Sequence, residues 1–157
     1  MSLRTITLAL VMLCLSVSLQ AQQDPLLGTW KINVAKSKFS PTSTPSRSDV
    51  MKYEPFGAAG IKLTRTTISG KGETEHENFS ANYDGKDYTI TGTPSVDTVV
   101  LKRIDAYTTE RINKKAGKVT TTIRSVVSRD GKTLTTTTTG TNASGTTVNN
   151  VRVWEKQ

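Results

Sequence analysis

The most reactive group of side chains in the sequence is the triplet Glu75-His76-Glu77, which contains the only histidine of the chain. A histidine between two carboxylates could bind a metal ion, move a proton or ligate a haem iron. The residues around the triplet predict a β-strand, in which successive side chains point to opposite faces. Glu75 and Glu77 then share one face and His76 lies on the other. The three groups cannot converge on one metal or proton unless a bulge intervenes.

Other patterns that support catalysis are missing from the sequence. The only cysteine is Cys14, which lies in a segment that we expect to be removed. No Gly-x-Ser-x-Gly elbow marks a serine nucleophile, and no glycine-rich loop leads into a helix to hold a phosphate. We therefore expect a protein that is not an enzyme and that carries no metal or cofactor.

The first 21 residues have the three features of a secretory signal. Arg4 supplies a positive charge, residues 6–15 form an apolar run, and Ala21 is a small residue suited to cleavage. The apolar run is shorter than the roughly 20 residues that span a bilayer. A cut after Ser18 is the alternative to one after Ala21. We expect a periplasmic or secreted protein with no membrane span after cleavage.

The composition indicates a single domain with a thin core. Hydrophobic residues make up 34% of the 157 residues, whereas about 45–50% is usual when glycine is counted too. A single shell of strands needs less apolar volume than layers of helix and sheet. The formal net charge is +8, but the basic residues are scattered singly, which favours a solvated surface over nucleic-acid binding. We expect residues 22–157 to form one monomeric domain.

Turn signals divide this domain into strands. Asp84-Gly85 and Asp130-Gly131 are typical of tight hairpins, and threonine, valine, isoleucine and tyrosine fill the segments between turns. Residues 37–47, rich in proline and serine, predict an irregular connection, either a plain linker or a lid. Closing the sheet removes its two edges, so the prediction is an all-β, up-and-down antiparallel barrel. The ten predicted strands are 28–35, 47–55, 60–69, 73–83, 87–92, 96–103, 106–114, 118–128, 132–140 and 146–155.

The two ends of this domain resemble those of a known family. LLGTWKINVAKSKF, at residues 26–39, is similar to the Gly-x-Trp opening of the lipocalin and fatty-acid-binding (calycin) barrels. VRVWEK, at residues 151–156, is similar to the closing strand of the fatty-acid-binding branch, with Trp154 where that branch has a tyrosine. The chain also resembles a group of uncharacterised exported bacterial proteins that open with Gly-Thr-Trp-Lys. The resemblance implies a ligand-binding barrel in which the proline-rich connection replaces the helical lid.

The same resemblance points to Trp30, Arg152 and Trp154 as site residues. Arg152 and Trp154 are two residues apart and therefore share a face of the last strand. In one interpretation the Arg152 guanidinium stacks on Trp30 and seals the barrel base. In the other, Arg152 points into the cavity and pairs with a ligand carboxylate. No second arginine is evident as a ligand-binding group.

Two hypotheses for the function follow. The first is an exported, lipocalin-like binding protein for a small hydrophobic or amphipathic ligand. The second is a solid-packed envelope or interaction barrel that binds an anionic polymer or a protein partner and has no ligand cavity. Under the first hypothesis, the residues expected to contact the ligand, besides Trp30, Arg152 and Trp154, are Ile32, Val34, Ile90, Val100, Ile123 and Leu134.

Overall fold

A computed structural model describes residues 23–41 and 43–157, so the predicted signal segment, residues 1–21, lies outside the described residues. The described residues contain no helix, and therefore none long and apolar enough to cross a membrane. They form ten β-strands. The strands are β1 Gly28–Lys38, β2 Ser48–Phe56, β3 Gly60–Ile68, β4 Thr74–Asn82, β5 Tyr88–Thr91, β6 Thr98–Arg103, β7 Thr108–Lys115, β8 Lys118–Val127, β9 Thr133–Thr141 and β10 Thr147–Lys156.

Each strand pairs with the next in antiparallel fashion, and the first and last strands close the barrel. Ile32 lies opposite Trp154 and Trp30 opposite Lys156 across the β1–β10 pair. The prediction of a closed up-and-down antiparallel barrel of about ten strands is confirmed. Because the strands alternate in direction, the turns lie at two ends, which we call the floor and the mouth. The floor is the end where β1 begins, and the mouth is the end where β1 runs into β2.

The floor is closed by tryptophan and by the segment that precedes β1. The Trp30 side chain is fully buried, and its indole Nε1–H donates a hydrogen bond of 2.8 Å to the carbonyl oxygen of Leu26. Leu26 is itself buried in the core cluster. The Lys156 ammonium lies 5.0 Å from the centre of the Trp30 ring, within the range of a cation–π contact. Trp30 thus closes the tube at the start of the first strand.

The mouth is crossed by the proline-rich connection. A bulge lies between Asn33 and Lys38 of β1, where the register with β10 shifts. Beyond it, the buried Asn150 of β10 holds the connection, because its side-chain Oδ1 accepts hydrogen bonds from the backbone N–H and the hydroxyl of Ser40 at 2.7 and 3.0 Å. Its Nδ2 donates to the Ser43 hydroxyl at 3.1 Å. The connection is therefore tied to the last strand of the barrel.

The pairing of β4 with β5 is short and depends on a glycine. Only Asn78 with Thr91 and Phe79 with Ile90 are paired between these strands. Gly92 follows β5 with φ +82°, and a Cβ atom there would lie 1.4 Å from the carbonyl oxygen of His76. Only glycine permits this close approach of the two backbones. The edge of the mouth on this side is therefore fixed by Gly92.

We predict that Gly92→Ala lowers the free energy of unfolding by more than about 3 kcal/mol. The substitution adds a backbone clash to the ~1–2 kcal/mol cost of a positive φ. Gly85 is the matched control, because it has φ +75° and open space where its Cβ would lie, so Gly85→Ala should cost only about 1 kcal/mol. Urea unfolding of both variants measures the difference. Equal losses would show that β4 and β5 are not held this closely.

Candidate functional site

Two adjoining cavities lie in the upper half of the barrel. The mouth cavity has a volume of about 370 Å³, and Phe39, Thr44 and Ser46 of the proline-rich connection form part of its wall. The wall cavity, of about 210 Å³, lies against β7, β8 and β9. The mouth cavity is within the ~300–1,000 Å³ range of small-molecule sites. The residues that line both cavities are Arg65, Glu75, Glu77, Thr93 and Arg152.

A chain of buried ion pairs forms the bottom of these cavities. Arg65 contacts Asp49 with two nitrogens, at 2.8 Å to Oδ1 and 2.5 Å to Oδ2. The Thr67 hydroxyl also donates to Asp49 Oδ1, at 3.1 Å. Glu77 joins two arginines, with its oxygens 3.5 Å from Arg65 Nη1 and 2.6 Å from Arg111 Nη1. Asp49, Arg65, Glu77 and Arg111 therefore satisfy much of one another's charge.

Arg152 is the third arginine in this interior, and it lacks a carboxylate partner. Its side chain makes no ion pair and no hydrogen bond with any described residue. Its guanidinium carbon lies 5.8 Å from the centre of the Phe39 ring. Burial and the neighbouring charge of Arg65 lower the pKa of Arg152 to about 10. The side chain remains cationic at neutral pH, and it faces the mouth cavity, the wall cavity and the space below them.

The pKa of Glu77 is set by its burial and by the charges of the neighbouring arginines. Burial alone would raise this pKa, but the charges of Arg111 and Arg65 outweigh burial and hold it below the ordinary value of 4.5. Deeper in the barrel, burial raises the pKa of Tyr53 to about 12, so this phenol stays neutral. The largely buried charges of the site are therefore three guanidinium groups and the carboxylates of Asp49 and Glu77. The exposed side chains of Lys71, Glu73 and Glu75 also line the mouth cavity.

Below this layer the barrel is nearly solid. A space of about 40 Å³ is all that lies among Met51, Tyr53, Phe79 and Trp154. The Trp154 indole Nε1–H donates to the Thr136 hydroxyl at 3.0 Å, so the ring is fixed in place. The open volume inside the barrel is therefore at the mouth, where most of the lining residues are polar. A further groove of about 360 Å³ lies on the outside at the floor, beside Leu27 and Pro55.

Seven of the nine residues predicted to contact a ligand lie in the barrel interior, at different depths. Ile123 and Arg152 line the wall cavity. Trp154 borders the small space beneath it. The members that belong to the packed core are Trp30, Ile32, Ile90, Leu134 and Trp154.

The expectation that Val34 and Val100 face the interior is not met. Val34 belongs to the irregular part of β1 after Asn33, and its side chain is 37% exposed. Val100 is buried but lies outside the core cluster. Val99 and Leu101, its neighbours on β6, are in that cluster, so Val100 is on the outer face by strand alternation.

The contact between Arg152 and Trp30, which was one of the two interpretations of these residues, is not present. Lys156 lies over the Trp30 ring, and Arg152 lies over Phe39. The two positions differ because Trp30 is paired with Lys156 across β1 and β10, which places Arg152 higher in the barrel.

Arg65 and Arg111 are site residues that the sequence interpretation missed. Both side chains lie on the inward face of their strands. Arg65 is two and four residues from the buried Leu63 and Ile61, and Arg111 is two residues from the buried Asn113. For Arg65, the sequence signal was its two-residue spacing from apolar core residues on the same strand. His76, in contrast, is exposed, and its Nδ1 is 3.2 Å from the Thr66 hydroxyl. Among the described residues no group of three or more potential ligands is placed to hold a metal ion.

We predict that Glu77→Gln lowers the free energy of unfolding by about 3 kcal/mol at pH 7, because it breaks a buried pair. The pKa of Glu77 is lower in the folded than in the unfolded chain. Its stabilisation is therefore complete above about pH 4.5 and is lost as the pH falls through the folded value. The difference between wild type and variant should shrink below pH 4.5 in urea unfolding. Glu110→Gln, on the outer face of β7, is the control, and a pH-independent difference for Glu77→Gln would contradict the account.

No protein-family model matches the chain, and no curated protein matches its sequence. Solved structures with the same fold are found. A variant of the fluorescent protein UnaG has a TM-score of 0.58 at 15% identity, covering 85% of this chain and 96% of that one. Wild-type UnaG has a TM-score of 0.56 at 13% identity, covering 84% and 97%. The zebrafish ileal bile acid-binding protein, crystallised with cholic acid, has a TM-score of 0.50 at 14% identity, covering 85% and 99%.

At these identities the likeness concerns architecture. It agrees with the family resemblance of the two terminal motifs and with the strand order observed here. The chain has the fold of the fatty-acid-binding (calycin) β-barrels.

Proposed function

We propose that the chain is an exported binding protein for a small amphipathic molecule that carries an anionic group, such as a carboxylate. The observation that carries this proposal is the Arg152 guanidinium, which faces the cavities without a carboxylate partner. A guanidinium presents a planar fork of donors that matches a carboxylate. The bound anion would supply the negative charge that the Arg152 guanidinium lacks.

The energetics of burial support a ligand at this position. Removing a charged group from water without pairing it costs several kcal/mol. The pKa of Arg152, lowered to about 10, reflects that cost. Asp49 and Glu77 are already engaged with Arg65 and Arg111. An external anion is the partner that relieves Arg152 without breaking those pairs.

The shape of the site favours a compact ligand over a long alkyl chain. The mouth cavity offers about 370 Å³, whereas the apolar space beneath it offers about 40 Å³. Phe39 and Ile123 provide apolar contacts beside the polar lining. Use of the same fold for an anion-bearing ligand is seen in the zebrafish bile acid-binding protein with its cholic acid.

The alternative hypothesis is a barrel that is packed solid throughout. Only the tight packing at the floor favours it. Trp30, Leu134 and Trp154 leave almost no room there. The open volume near Arg152 is unexpected for a barrel whose only working surface is its exterior. We therefore place function inside the mouth.

We predict that Arg152→Gln weakens carboxylate binding at least about 30-fold, because the charge-assisted bonds are lost. The same change should raise the free energy of unfolding of the empty protein by about 1 kcal/mol, because a partly buried cation without an ion-pair partner is removed. Calorimetric titration and thermal unfolding measure the two effects. Suitable probes are benzoate, hexanoate and gluconate, each compared with its neutral amide.

The control for this experiment is Arg124→Gln, which removes an exposed arginine from β8. It changes the net charge equally and should leave binding unchanged. Binding that is as tight for the amides as for the acids, or that survives Arg152→Gln, would contradict the proposal. So would the absence of binding by all three acids.

Export is a separate expectation with its own test. We predict that the full chain, expressed in a Gram-negative host, is found in the periplasm or medium with Gln22 as its first residue. Intact-mass measurement distinguishes this from a cut after Ser18. A full-length chain retained in the cytoplasm would contradict export without bearing on ligand binding.

A further inference from the structure

Three of the residues that line the wall cavity each have a buried side-chain polar atom with no partner among the described residues. The atoms are Arg111 Nε, Asn113 Oδ1 and Thr138 Oγ1. The Asn113 and Thr138 residues are only 4% and 7% exposed. Buried polar atoms are nearly always hydrogen-bonded, because an unpaired one costs about 1–3 kcal/mol. The three atoms therefore mark a place where polar groups from outside the chain belong.

The register of the sheet brings these atoms to one wall near Arg152. Arg111 and Asn113 are two residues apart on β7 and share its inward face. Thr138 lies on β9 next to Thr136, in the inward register, and Thr136 is the residue paired with Arg152 of β10. Thr138 and Arg152 are therefore diagonal neighbours across two adjacent strands. All four residues line the wall cavity.

One end of the Asn113 side-chain amide lacks a partner whichever way the amide group is oriented. Its Nδ2 donates to the Thr121 hydroxyl at 2.9 Å, which leaves Oδ1 unpaired. If the amide is turned over, Oδ1 accepts from Thr121 and the NH₂ group is left unpaired. In both orientations one polar end of a buried side chain requires a partner.

We propose that the ligand is a polyhydroxylated carboxylate, of the chemical class of the sugar acids. This inference rests on the proposed function, in which Arg152 binds the carboxylate. A hydroxyl group both donates and accepts, so hydroxyls on a short carbon chain can accept from Arg111 Nε, donate to Asn113 Oδ1 and pair with Thr138. An alkyl chain has no polar groups, so it would leave these three buried atoms without partners and would be disfavoured.

Gluconate and hexanoate test this inference, because both are six-carbon monocarboxylates and differ in the hydroxyl groups. Titration calorimetry with the mature protein should show gluconate binding at least about tenfold more tightly than hexanoate. Both acids should lose affinity in Arg152→Gln.

A hydroxyl deletion identifies the wall residues. Thr138→Val keeps the shape of the side chain and should weaken gluconate binding about fivefold while leaving hexanoate unchanged. Thr135→Val makes the same change on the outer face of β9 and is the control. Because valine suits a strand, both variants should fold.

The outcomes separate the two proposals. Hexanoate binding as tightly as gluconate, with dependence on Arg152, would overturn the hydroxylated ligand and leave the anion-binding function standing. Equal effects of Thr138→Val and Thr135→Val would also overturn it. Binding of neither acid would contradict this inference, and it would contradict the proposed function as well if benzoate also failed to bind.

Discussion

The largely buried charged groups of this barrel are three guanidinium groups and two carboxylates, and Arg152 is the guanidinium that forms no ion pair among the described residues. Arg65 and Arg111 are neutralised by Asp49 and Glu77, in contacts as short as 2.5 and 2.6 Å. Arg152 interacts electrostatically with the same four groups, but its side chain forms no ion pair among the described residues and lies over the Phe39 ring. The ion pairs form a rigid, hydrogen-bonded platform, and the unpaired cation on it is the position at which an external charge is favourable.

Placing charges inside a small barrel requires that stability come from elsewhere. Here the floor supplies it: both tryptophans are buried, their indole N–H groups are bonded to Leu26 and Thr136, and the side chains leave about 40 Å³. The aromatic residues, only 6% of the sequence, are thus concentrated where closure matters. The barrel is solid at one end and polar at the other. A chain with few apolar residues can form such a structure because half of its interior is not required to be apolar.

The architecture was predictable from the sequence because it depends on local signals. Asp-Gly turns and alternating strands gave ten elements close to those observed, and the two terminal motifs indicated that β1 and β10 are neighbours. Val34 was misplaced because its strand alternates in the sequence, while the bulge after Asn33 breaks that alternation in three dimensions. Val99, Val100 and Leu101 are all apolar, so residue type does not show which of them faces inward. The outward direction of Val100 depends on the pairing of β6 with β7.

The site was less predictable because it depends on which strands meet. Nothing near Arg65 in the sequence identifies Asp49 or Glu77 as its partners, since the pairing of β2, β3 and β4 creates those contacts. Charged residues at inward positions of predicted strands were nevertheless visible, and examining them would have identified Arg65 and Arg111 as interior residues. The height of Arg152 in the barrel followed from a register that places Trp30 opposite Lys156, which no local pattern specifies.

A crystal structure of the protein grown with a saturating carboxylate tests the central claim most directly. The account predicts the carboxylate oxygens within hydrogen-bonding distance of the Arg152 guanidinium, with the Asp49–Arg65 and Glu77–Arg111 pairs intact. A structure in which Arg152 is instead paired with Glu77 or Asp49, and the upper barrel holds no anion, would contradict it.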